Sequence, residues 1–157
     1  TRLRKLIDSH WDAAIFAAAG LERINLRPEN SIELDWMLPA PAQGAIMIVC
    51  REEDQNTFNL CQAFNHRHTE LCTKIERDFL RKLLGGCSTP ISALAEAVDD
   101  KILFKGNICS ADGRQKIDIT KEAPIKTCDD TGSVVAEELL GQPAAKAIIH
   151  GIRNAKN

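Results

Sequence analysis

Between Asn65 and Leu84 the apolar residues Leu71, Ile75, Phe79, Leu80 and Leu83 recur at steps of three and four, which predicts one helix with a single core-facing stripe. Gly85 supplies its expected C-terminal stop. After Pro90 the pattern changes to runs with strand character near Ile91–Val98, Lys101–Cys109 and Gln115–Thr120. Asp99-Asp100 and Ala111-Asp112-Gly113 separate them with hairpin-turn chemistry, so an antiparallel meander is expected. Two further helical segments, Ser133–Leu140 and Ala144–Ile152, flank Gly141 and Pro143. Three antiparallel strands and three helices make an α+β domain from about residue 63 onward.

The first 62 residues do not complete a domain in the same way. Ala13–Ala19 is a short apolar run ending at Gly20, readable either as a buried strand or as a helix stub. Pro39, Pro41 and Gly44 then interrupt the chain before Ala45–Cys50, a continuous apolar run short enough for a buried strand, with a short helix expected after Arg51. These are pieces of something larger than themselves.

Composition narrows the function classes. With 157 residues, 44% hydrophobic and 27% charged, the chain can bury a core. A net charge of −2 with both signs interspersed gives no general electrostatic reason to bind nucleic acid or a membrane, so any anion must be gripped locally. No apolar run reaches the ~18 residues of a membrane span, and the opening residues lack the apolar core of a signal peptide; a cytoplasmic location is expected. Six cysteines at 50, 61, 72, 87, 109 and 128 contain no CxxC pair and are read as mostly reduced thiols.

Cys87 is the most pointed chemical feature, because Gly85 and Gly86 before it let the backbone turn sharply and admit a bulky group to the sulfur. The alternative is a small buried residue beside a helix end. His66, His68 and Cys72 carry zinc-ligand chemistry but lack a complementary pair at zinc spacing, so they are read as helix-entry residues and no metal is expected. Arg2, Arg23 and Arg77 adjoin apolar or glycine-containing segments, where a planar fork could hold a carboxylate; the competing reading is solvation or pairing with neighbours, such as Arg77 with Glu76 or Asp78. The "AQGA" of residues 42–45 is a weak glycine motif for close backbone approach.

Several stretches together resemble the porphobilinogen deaminase (hydroxymethylbilane synthase) family. They are TRLRKL at 1–6, DAAIFAAAGLERI at 12–24, LPAPAQGA at 38–45, CREED at 50–54, FNHRHTEL at 64–71, IERDFLRKLLGGCSTPI at 75–91 and VVAEELL at 134–140. The resemblance covers essentially the whole chain but only the C-terminal half of the family's protein. It implies that residues 1–38 end a second domain of periplasmic-binding-protein-like α/β fold, that 39–62 form a hinge and a segment returning to the first domain, and that 63–157 are the α+β third domain.

It further implies a transferase that polymerises porphobilinogen stepwise into the linear tetrapyrrole hydroxymethylbilane, with release of ammonia. The primer would be a dipyrromethane cofactor held by Cys87 through a thioether, a bond that an accessible sulfur can form with an electrophilic methylene. By the same resemblance Arg2, Arg23 and Arg77 meet cofactor or substrate carboxylates, and Ala17, Gly20, Gln43 and Gly44 line the cleft. The family's catalytic aspartate lies in the N-terminal half, so no catalytic residue is expected here, and a fragment made alone would be inactive with Cys87 unmodified. The full-length protein is expected to be a monomer whose partners are porphobilinogen, pyrrole intermediates and its own N-terminal half. The competing function class is a free-standing α+β binding module that uses Cys87 for docking or redox chemistry.

Overall fold

The computed structural model describes residues 2–83 and 89–154, with the side chains of Arg2 and Asn154 left aside. The expected helix stop at Gly85 and the Cys87 loop lie outside the described residues. The chain forms two compact units, Thr1–Asp35 and Trp36–Asn157.

The first unit holds two short helices, α1 (Arg2–Asp8) and α2 (Ala18–Arg23). Of the two readings offered by Ala13–Ala19, only the end of that run becomes helical, and residues 13–17 are in neither helix nor strand. No described side chain in this unit is buried, and Ile7, Ile15 and Ile32 are 82%, 72% and 85% exposed. A unit with so little apolar surface removed from water has no core of its own.

The second unit begins with the 39–45 turn and α3 (Gln55–Cys61), capped by Asp54, whose carboxylate accepts the Thr57 amide at 3.0 Å. Next comes α4 (Arg67–Lys82), then strands β1 (Ile91–Val98), β2 (Lys101–Cys109) and β3 (Lys116–Pro124), and finally α5 (Thr131–Gly141) and α6 (Pro143–Asn154). The sheet is an antiparallel meander in the order β1-β2-β3, with Ala95 opposite Phe104 and Gly106 opposite Ile119. Asp99 takes φ +53° in the first hairpin and Gly113 takes φ +70° in the second. The third strand runs four residues past the expected Thr120, because Lys121–Pro124 continue the ladder against Lys101–Phe104.

The core lies between one sheet face and the helices. Ile75 and Phe79 of α4 and its C-cap Leu83 are buried as the three-four periodicity requires, with Leu71 and Leu80 at the margin. Phe79 meets Phe104 edge-on, with ring centroids 5.1 Å apart. Gly106 makes room for this pair, since a β-carbon there would stand 2.9 Å from both rings. Helix α5 crosses α4 so closely at Gly132 that a β-carbon would lie 2.0 Å from the Ile75 carbonyl oxygen.

Ala45–Cys50 departs from expectation. The segment forms no strand, and Ile46 and Val49 are 85% and 79% exposed. Apolar alternation or continuity becomes a strand only where another strand presents its backbone ladder. On β1 that edge is already occupied, because the Ala93 amide donates to Pro39 O at 3.1 Å and the Ala95 amide donates to a Glu76 carboxylate oxygen at 2.8 Å.

Candidate functional site

The arginines singled out from the sequence acquire their character from what their neighbours do. Arg77 is exposed on α4 between two acids, and both acids are engaged elsewhere. Asp78 pairs with Lys74 at 2.8 Å and with Arg81 at 2.7 Å. Glu76 turns inward and its two oxygens accept the amides of Ala95 and Ala42, at 2.8 and 2.6 Å. The pairing of Arg77 with Glu76 or Asp78 is not made, as expected of adjacent helix residues, which project to different faces. Arg77 has no carboxylate partner among the described residues.

Arg23, in the last turn of α2, is in the same position: its neighbour Glu22 is held by Arg27 at 2.9 Å. Arg4, Arg67, Arg81 and Arg114, by contrast, each sit in an ion pair. An exposed guanidinium whose nearby acids are already engaged is available to an external carboxylate, which it can grip with two parallel hydrogen bonds.

Gln43 and Gly44 sit on a turn built from two left-handed residues, Ala42 at φ +59° and Gly44 at φ +83°. Glycine adopts that conformation freely, whereas alanine pays about 1 kcal/mol for it. The turn closes through Gln43 N–H to Ala40 O at 2.9 Å and through the Ala40 amide to Gln43 Oε1 at 3.1 Å. Its Ala42 amide points away from the turn, to Glu76. Gln43 and Gly44 thus form one wall of a groove of about 330 Å³, whose opposite wall is the face of α4 that carries His68, Thr69 and Cys72.

The remaining candidates are placed less informatively. Ala17 is the N-cap of α2 without a capping side chain, and a β-carbon on Gly20 would meet nothing within 4 Å, so this end of the helix is open on the Gly20 side. They belong to the first unit with Arg23, whereas Gln43, Gly44 and Arg77 belong to the second. Arg2 lies in α1, and its side chain, like Cys87, is outside what is described. His66 caps α4, its Nδ1 accepting the Thr69 amide at 3.3 Å, which is the helix-entry role. No three metal-ligating side chains gather among the described residues.

Sequence reasoning missed Glu76 as a structural centre. The signal was present, since position 76 falls among Cys72, Ile75, Phe79 and Leu83 on the apolar stripe, where a carboxylate needs buried donors. Its burial raises its pKa above the ordinary 4.5, an effect opposed by the two amides and by Arg77. Burial also pushes the Cys72 and Cys128 thiols up, which disfavours the thiolate form of each.

Residues 1–59 match the family model described as "Porphobilinogen deaminase, dipyromethane cofactor binding domain", and residues 70–141 match "Porphobilinogen deaminase, C-terminal domain". The chain is 40% identical over 158 residues to the porphobilinogen deaminase of Brevibacillus brevis, covering 98% of this chain and 50% of that protein. It is 39% identical to the Listeria innocua protein of the same name over 159 residues, with the same coverage, and 42% identical to the Macrococcus caseolyticus one over 156 residues, covering 95% of this chain and 48% of that protein. The chain spans about half the length of these curated relatives. Both family models and relatives aligned along nearly the whole chain agree: the chain belongs to the porphobilinogen deaminase family.

Proposed function

We propose that this chain is the C-terminal half of a cytoplasmic porphobilinogen deaminase, or hydroxymethylbilane synthase, which polymerises porphobilinogen into hydroxymethylbilane with release of ammonia. The observation that carries this reading is the pair of family matches on one chain, a cofactor-binding segment followed by the C-terminal domain. Residues 1–38 are read as the end of a periplasmic-binding-protein-like second domain, 39–62 as the hinge and the return to the first, and 63–157 as the third. The lack of any buried side chain among the described residues of 1–35, and the exposure of Ile46–Val49, support the view that these segments complete themselves against another part of the protein.

The residues present fit a dipyrromethane bearing acetate and propionate groups. The fit rests on the exposed guanidinium of Arg23 in the first unit and of Arg77 in the second, each without a carboxylate partner among the described residues, and on the open side of the left-handed Gly44, where a β-carbon would meet nothing within 4 Å. Cys87 would hold the cofactor through a thioether, and when bound the cofactor supplies the pyrrole end on which the tetrapyrrole grows. Arg2, Arg23 and Arg77 would hold carboxylates in place, while Ala17, Gly20, Gln43 and Gly44 would line the cleft that admits the pyrrole rings. Orientation by fixed charges is the contribution of this half to the reaction. By the same resemblance proton handling belongs to the other half; the two acids that flank Arg77 are engaged already, Glu76 turned into the core and Asp78 paired twice.

The test is to incubate porphobilinogen with the full-length protein and, separately, with the 157-residue chain. The full-length protein should yield hydroxymethylbilane and ammonia, and the chain by itself should yield neither. A full-length protein that leaves porphobilinogen unconsumed would refute the reading.

A further inference from the structure

The turn that carries Gln43 and Gly44 leaves both of those residues exposed and Ala42 only half-buried. Two polar tethers hold it. One is the Ala93 amide on Pro39 O at 3.1 Å, and the other is the Ala42 amide on Glu76 at 2.6 Å. The second oxygen of the same carboxylate takes the Ala95 amide of β1 at 2.8 Å, so one side chain, 5% exposed, ties together α4, β1 and the turn. Both bonds require an acceptor, and a carboxylate is the side-chain group that offers two equivalent ones. A glutamine in its place would turn an NH2 group towards one of the two amides and leave that amide without an acceptor.

We infer that Glu76 is a positioning residue: by accepting the Ala42 and Ala95 amides together, it sets where the Gln43–Gly44 turn stands on α4, and with it the spacing between that turn and the helix residue Arg77. This rests on the reading above that Gln43, Gly44 and Arg77 face the pyrrole ligands. Glu76 itself touches no ligand in this arrangement. It acts through the backbone of a turn whose left-handed Ala42 is unfavourable by itself and is stabilised by the bond its amide makes.

The experiment combines amide exchange in the 157-residue chain with kinetics of the full-length protein, each for wild type, Glu76→Gln and Glu76→Asp. In Glu76→Gln the Ala42 amide should exchange about tenfold faster or more, consistent with the loss of a hydrogen bond to a charged acceptor, while the central β2 and β3 amides keep their protection. In the full-length variant KM for porphobilinogen should rise about tenfold, with kcat changed less and Glu76→Asp intermediate. If Glu76→Gln also loses β2–β3 protection, Glu76→Asp carries the same comparison with the charge retained. Unchanged Ala42 exchange would overturn the clamp, and faster exchange with an unchanged KM would overturn its role in ligand geometry. A wild-type full-length protein that does not turn over porphobilinogen would refute the proposed activity instead, and Ala42 exchange would still decide the clamp.

Discussion

Glu76 and Ala42, separated by 34 positions in the chain, are joined by a 2.6 Å hydrogen bond from the Ala42 amide to a carboxylate oxygen. Arg77, the next residue, projects from a different face of the helix and has no carboxylate partner among the described residues. One buried carboxylate therefore anchors a turn, and an exposed cation stands next to it in the chain.

The pH dependence of stability should carry the mark of Glu76. Burial raises its folded pKa above 4.5, so between these two values the native state binds more protons than the unfolded one. Stability from this group is full below about pH 4 and declines as pH rises through the window from 4.5 to the folded value. Urea midpoints measured from pH 4 to 7 should show this decline in wild type and a weaker one in Glu76→Gln, although the variant is less stable throughout by about 1–3 kcal/mol. Identical pH slopes in the two proteins would contradict the assignment.

Gly132→Ala should destabilise the chain strongly, because the new methyl would meet backbone, 2.0 Å from Ile75 O and 3.0 Å from Phe79 N. Backbone cannot rotate aside as a side chain does, so α4 and α5 must separate, at a cost of about 3 kcal/mol or more. Gly151→Ala in α6 is the control. Nothing stands within 4 Å of that position, and alanine there should stabilise by up to about 1 kcal/mol. Chemical denaturation of both variants decides the matter.

Arg77→Leu in the full-length protein should weaken binding of substrate or intermediates by about 2–3 kcal/mol, the loss of a bidentate charge-assisted contact. Arg81→Leu, four residues on, should have little effect on binding, because Arg81 already pairs with Asp78 at 2.7 Å. Intermediates separated by native electrophoresis would report both, and equal behaviour of the two variants would remove Arg77 from the site.

Cys87→Ser in the full-length protein should abolish the covalent cofactor adduct seen by intact mass. Cys72 and Cys128 are buried with their thiols pushed up, which makes them poor substitutes. An adduct of unchanged mass on another cysteine would overturn the attachment site.

The elements that depend on local pattern were legible in the sequence. Helix α4, the three-stranded meander and the two closing helices follow from periodicity and turn residues, because each buries one face and the spacing of that face is set by helix or strand geometry. The family resemblance was legible as well, through shared motifs, and it is this resemblance that gives Cys87 and the arginines the roles proposed above. Partnership was not. Ala45–Cys50 has the residues of a buried strand and forms none, since a strand requires a ladder beside it and the β1 edge is taken by Pro39 and Glu76. What the acids beside Arg77 would bind could not be read from their place along the helix. Tertiary structure decided it, because the amides that claim Glu76 come from Ala42 and Ala95, 34 and 19 positions away, and no local pattern records which distant donor reaches a buried carboxylate first.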